Sequence, residues 1–215
     1  MREILNLEPD GFVAHGGGRQ VFLHPENPDA IIKVQRKRGK ALLRHRVLRP
    51  KFVRPSKRRF GSLRVTYKEY EEYLAASSSL GHLQIFISRF LGFVDTSLGI
   101  GVVYEKITDS DGNLAPNLRQ YIEKNGVSAQ LTQLVENLIA ELEKAHIVAP
   151  DLSVKNIVVG GEPEGAEMTV SLVDGISENS LIRLKTWSPF VFRRWLAQKR
   201  RSLLASMHEI DTGRA

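Results

Sequence analysis

Cysteine is absent from this sequence, which excludes disulfides, thiolate metal sites and cysteine nucleophiles. No apolar run approaches the roughly 20 residues needed to cross a bilayer, so no transmembrane segment is expected. The N-terminus, MREILNLEPDGF, has no basic region followed by an apolar stretch, and no secretory signal is expected there. These absences make the cytoplasm the expected location. Internal repeats and low-complexity tracts are also missing, which argues against a solenoid. What remains is ordinary globular composition, with 42% hydrophobic and 26% charged residues in a chain of 215. That is enough apolar content for one sizeable domain or two small lobes, and it excludes wholesale disorder.

The charge is unevenly spread. Net charge is +7, yet thirteen Lys and Arg fall between Arg36 and Arg64 with no Asp or Glu among them. The remainder holds 18 cations against 24 acids, a net of −6. An ordinary, slightly acidic domain thus carries one strongly basic insert. Pro50 and Pro55 break any long helix there, and only KALLRHRVLR has the makings of a short one.

Around the insert the pattern is that of an α+β protein. Three short strands, GFVA, QVFL and AIIKV, are separated by a triple glycine and by HPENPD. A helix is expected from about residue 66 to Gly81, with Tyr67, Tyr70, Tyr73 and Leu74 on one face. RFLGFVD and GVVYEKI read as a hairpin across TSLGI. Asn117 to Asn125 reads as a short helix stopped by Gly126. Leu131, Leu134, Val135, Leu138, Ile139 and Leu142 mark an amphipathic helix ending near His146. NIVVG and MTVSLVDG form a second hairpin. A final helix opens at Ser188-Pro189, a cap followed by proline at the first helical position. Its sequence is apolar and basic together. Membrane-surface contact is one reading, and packing of Trp187, Phe190, Phe192 and Trp195 on the C-terminal half is the expected one.

Several residues along this order can carry chemistry. Gly16, Gly17 and Gly18 let backbone amides approach a phosphate, or they are merely a floppy turn. Lys33 sits in the apolar AIIKV, where a buried lysine needs an anionic partner, unless it lies on the open face of an edge strand. Glu69 follows near the start of the first helix, with Glu71 and Glu72 suggesting a solvated acidic face. Asp151 and Asn156 are spaced D-L-S-V-K-N ahead of a strand, and Asp174 ends the next one before Gly175. Singly, each such Asp reads as a turn former.

Together the sequence resembles the protein-kinase-like fold, whose parts come in this order. The resemblance implies an N-lobe over residues 1–107, carrying the insert 36–64, and a reduced C-lobe over residues 108–215. It implies ATP with Mg²⁺, the glycines over the phosphates, and Lys33 on them with Glu69 as its partner. Asp151 becomes the base, and Asn156 and Asp174 become metal ligands. Glu105 and Ile107 then flank the hinge where backbone groups meet adenine.

Over nearly its whole length the chain also resembles the YrbL proteins, described as members of the PhoP regulatory network. The resemblance is carried by GGGRQVFLHPENPDAIIKV, GFVDTSLGIGVVYEKITDSDGNL, APDLSVKNIVV and VDGISENSLIRLKTWS. The last stretch has no counterpart in generic kinases. The resemblance implies an ATP/Mg-dependent, kinase-like phosphotransferase of unknown acceptor.

The departures from the kinase pattern keep a second reading open, that of a pseudokinase-like regulatory or binding module. Ala149 and Pro150 stand where His and Arg usually precede the catalytic Asp, and Ser153 stands where a lysine usually follows. No Phe follows Asp174, no A-P-E appears, and only 41 of the 215 residues lie beyond Asp174. That leaves no room for the usual peptide-binding platform. A third reading gives the insert 36–64 a polyanion partner, either nucleic acid or anionic lipid or lipopolysaccharide.

Overall fold

The computed structural model describes residues 4–15, 18–35, 59–82, 86–161, 167–176 and 184–213, apart from the side chains of residues 15, 62 and 184. Most of the basic insert, including the expected short helix in KALLRHRVLR, lies outside the described residues. The chain forms two units. One comprises Met1–Tyr67 with Phe90–Glu105, the other Lys68–Arg89 with Lys106–Ala215.

The first unit is an antiparallel sheet of five strands: β1 (Phe12–His15), β2 (Arg19–Leu23), β3 (Ala30–Gln35), β4 (Phe90–Thr96) and β5 (Gly99–Glu105). They are ordered β1-β2-β3-β5-β4. The apolar run AIIKV becomes the middle strand, paired on both edges, and all five of its residues are buried. Asn27 closes the turn before it, accepting from Asp29 N–H at 3.0 Å through its side chain and from Ala30 N–H at 3.1 Å through its carbonyl. One sheet face is closed by Phe22, Ile32 and Val34 together with Leu5 and Leu7. The N-terminal segment is tied on by Leu5 N–H to Asp95 O and Ser97 N–H to Leu5 O, both 2.9 Å. Gly101 is fixed by this packing, since a Cβ there would stand 2.6 Å from Ile32 Cγ2.

The second unit is largely helical. It takes most of α1 (Arg64–Leu80), then α2 (Leu118–Asn125), α3 (Ala129–Lys144), the hairpin β6 (Ile157–Gly160) and β7 (Thr169–Leu172), α4 (Leu184–Trp187) and α5 (Pro189–Asp211). Local signals set the boundaries. Asn117 and Gln120 form a reciprocal capping box, Gly126 ends α2 with φ 73°, and Ser128 and Ser188 cap α3 and α5. α3 contributes Leu131, Val135, Leu138, Ile139 and Leu142 to the core, and α5 contributes Phe192, Leu196, Leu203, Met207 and Ile210.

Two expectations about faces are corrected here. On α1, Tyr67 and Leu74 are exposed, whereas Tyr73 and Ala76 are buried. The core takes only part of the aromatic stripe. At the start of α5, Phe192 is buried and Trp195 packs beside it, but Trp187 and Phe190 are 70% and 76% exposed. Pro189 starts the helix between them. Trp187 therefore precedes it, and Phe190 lies on the side away from Phe192 and Leu196.

Candidate functional site

The helix α3 delivers the chain to Asp151 through a sharp, fully satisfied stop. His146 adopts the left-handed conformation (φ 52°). Its N–H bonds Glu143 O at 3.1 Å, and Ile147 N–H bonds Leu142 O at 3.0 Å, which together make a Schellman ending. The position normally favours glycine. Here the ring of His146 stacks on Phe192 at 4.2 Å and its Nε2 lies 2.7 Å from Lys185 O. Ile147, Val148 and Ala149 are then buried, and Asp151 emerges on an exposed turn.

Two contacts hold that turn to the rest of the candidate site. Asn156 Nδ2 donates to the main-chain carbonyl of Asp151 at 2.8 Å. With the nitrogen so engaged, Oδ1 is the part of the amide left to accept from a donor or ligate a cation. Asn156 O accepts from Val173 N–H at 2.9 Å, which aligns the segment leading to Asp174. Asp174 Oδ1 accepts from Gly175 N–H at 2.6 Å.

Gly175 closes the arrangement. Its φ is 86°, and a Cβ there would stand 2.9 Å from both Asp151 Cβ and Asp151 O, and 3.2 Å from Asn156 Nδ2. Only glycine lets the chain after Asp174 pass this close. The backbone of the second unit thereby brings Asp151, Asn156 and the Asp174-Gly175 step next to one another. Among the described residues, no group of three or more His, Cys, Asp or Glu side chains converges. A cation here would take Asp174 and Asn156 as its protein ligands and complete its shell with water and phosphate oxygens, the sparse protein coordination that Mg²⁺ accepts.

The first unit, taken by itself, buries cations. Lys33 is 6% exposed in the middle strand, which excludes the edge-strand alternative. Its Nζ lies 4.5 Å from the centroid of the Tyr104 ring. Lys33 is opposite Val21 on β2, and Arg19 is opposite Gln35. Side chains two apart on a strand share a face, so Arg19 and Lys33 project from the same side of the sheet, opposite its packed face. Arg19 is itself only 7% exposed. Nothing in the glycine motif singled it out, but counting back from Lys33 across the hairpin at period two finds it.

The other expected residues divide between the units. Gly18 is exposed, with no atom within 4 Å of a Cβ built on it, so core packing does not require glycine there. Gly16 and Gly17 lie outside the described residues. Glu105 ends β5 opposite Ala30. Ile107, in the second unit, accepts Ala115 N–H at its carbonyl at 2.9 Å. Glu69 is half-buried on α1. Glu72 is 8% exposed and Lys68, one turn before it, is also buried, so the expected solvated acidic face does not include Glu72.

Comparison with known proteins adds three findings. The family model described as PhoP regulatory network protein YrbL matches residues 5–208. YrbL of Escherichia coli (strain K12) and YrbL of Shigella flexneri are each 27% identical over 206 residues, covering 91% of this chain and 88% of theirs. Among solved structures, the crystal structure of Rad53 1-466 in complex with AMP-PNP superposes with a TM-score of 0.50 at 14% identity. That match covers 89% of this chain but only 43% of the Rad53 chain. At such identity the likeness is one of fold, and the fold is kinase-like.

Proposed function

The chain belongs to the YrbL family of PhoP regulatory network proteins, and from its own site residues we propose that it is an ATP- and Mg²⁺-dependent phosphotransferase acting in the cytoplasm on an acceptor hydroxyl. The observation that carries this reading is the packing of Gly175 against Asp151 and Asn156. It joins the three oxygen-bearing residues that phosphoryl transfer needs. The Rad53 neighbour holds AMP-PNP, which supports a nucleotide ligand here as well.

In this reading Lys33, partnered by Glu69, neutralises the α- and β-phosphates, while Gly16, Gly17 and Gly18 lend backbone amides. Backbone groups at Glu105 and Ile107 meet adenine. The Ile107 carbonyl already serves Ala115, so its N–H is the group left for the base. Asn156 and Asp174 hold Mg²⁺, which supplies charge neutralisation at the phosphate oxygens when bound. Asp151, exposed on its turn, accepts or orients the proton of the acceptor hydroxyl. Such catalysis is positioning and charge neutralisation.

The test is thermal melting with ATP, with and without magnesium, alongside a turnover assay. ATP with magnesium raises the melting temperature, and Asp174→Ala removes the magnesium-dependent part. Asp151→Ala keeps the shift and loses turnover. A wild type indifferent to ATP and magnesium would sink the whole reading. The alternative of a regulatory module that retains nucleotide is favoured by buried Ala149 and by Pro150 in the usual His-Arg positions. It predicts a nucleotide shift without turnover in wild type. For the insert 36–64 we propose polyanion binding through its acid-free charge. At about six phosphate contacts, affinity falls roughly a thousandfold between about 50 and 200 mM salt, and a flat salt titration would exclude it.

A further inference from the structure

We propose that the outward face of α5, which Phe190 begins and the exposed Trp187 precedes, docks on the surface of an anionic phospholipid membrane. Trp187 and Phe190 are 70% and 76% exposed. Two large aromatics this bare within three residues add nothing to the core of their unit, which is closed by Phe192 and Leu196 on the other side of the helix. Phe190 also begins a stripe. Positions 190, 194, 197, 201 and 208 follow the helical repeat and are all exposed. They read Phe, Arg, Ala, Arg and His.

Charge selects the partner. Six Lys and Arg and no Asp or Glu occur from Leu184 through His208. Two of the six are answered from α3: Arg193 by Glu143 at 3.2 Å, and Arg200 by both carboxylate oxygens of Glu136. Arg194 and Arg201, on the stripe that Phe190 begins, meet no carboxylate among the described residues. Aromatic side chains beside unanswered arginines match the boundary of an anionic bilayer, where rings enter the headgroup layer and cations face lipid phosphate. A nucleic acid would use the same arginines, but the stripe offers no Asn, Gln, Ser or Thr to read base edges. Among the described residues, no helix is long and apolar enough to cross a membrane, so contact through this helix is contact with the surface.

The experiment is sedimentation of the full-length protein with vesicles of phosphatidylcholine alone or mixed with phosphatidylglycerol, at low and high salt. Binding is expected with the anionic vesicles only, with a blue shift of tryptophan emission that Trp187→Phe abolishes. The double variant Trp187→Ala/Phe190→Ala lowers partitioning at least about tenfold, and Arg194→Gln/Arg201→Gln lowers it by about thirtyfold. All four positions are exposed, so melting temperatures stay at the wild-type value. Anionic-vesicle binding unchanged by the aromatic variant would assign the contact to the basic insert and overturn the proposal. Absence of vesicle binding overturns it as well. So does duplex DNA or RNA binding with the same sensitivity to Trp187 and Phe190, because the face would then be a nucleic-acid surface.

Discussion

The two units place opposite charges by opposite means. In the first, Lys33 and Arg19 are buried on one face of a sheet, held by strand register. In the second, Asp151, Asn156 and Asp174 stand on turns, held by main-chain hydrogen bonds and one glycine. Burying a cation costs desolvation, and a bound anion offsets it. A turn carboxylate costs little to leave in water, but its position is only as good as the backbone beneath it. Loss of a cation in the first unit should therefore injure binding more than folding. A disturbed backbone in the second should injure both.

The largest expected effect is at Gly175. Gly175→Ala puts an L side chain at φ 86° and a Cβ 2.9 Å from Asp151 O. It should lower the unfolding free energy by about 2 to 4 kcal/mol and erase the magnesium-dependent part of the nucleotide shift. Wild-type denaturant midpoint and shift in this variant would break the comparison on the side of the second unit.

Next is Lys33→Met, which keeps most of the side-chain volume and removes the charge. ATP affinity should fall by about thirty- to a hundredfold, the worth of a charged hydrogen-bonding contact, with a smaller loss of denaturant midpoint. A collapse of stability with intact ATP binding would make Lys33 a structural cation. The smallest effect belongs to Arg19→Met. ATP affinity falls about tenfold and AMP affinity stays level, because the side chain lies on the Lys33 face and is expected to add charge near the phosphates. Equal losses for ATP and AMP, read by titration calorimetry, would remove Arg19 from the phosphate site.

Where signals are local, the sequence is a sufficient guide. β1 gives way to β2 within HGGGRQ, and the Asn-Pro turn separates β2 from β3 where HPENPD stands. Asn117 with Gln120, Gly126, Ser128 and Ser188-Pro189 fix helix ends within single turns, because caps act over three or four residues. The spacing Asp-x4-Asn set Asp151 and Asn156 ahead of a strand, but only the structure shows the Asn156 amide reaching back to the Asp151 carbonyl. Lys33 stood out as a charge within an apolar run, and the strand order decided between a middle and an edge position.

What the sequence by itself determined is therefore the element order, the helix ends and the identity of the polar residues near each strand end. The tertiary structure alone decided which faces are covered. Tyr67 and Leu74 are apolar like Tyr73 but face solvent, Glu72 is buried while Glu69 and Glu71 are only half-buried, and Phe190 is bare while Phe192 is enclosed. It also decided that Gly175 touches Asp151 across 24 residues of chain. The physical reason is range. Capping and turn formation are settled by hydrogen bonds between near neighbours, whereas burial depends on which distant segment arrives to exclude water, and periodicity on one helix carries no record of that partner.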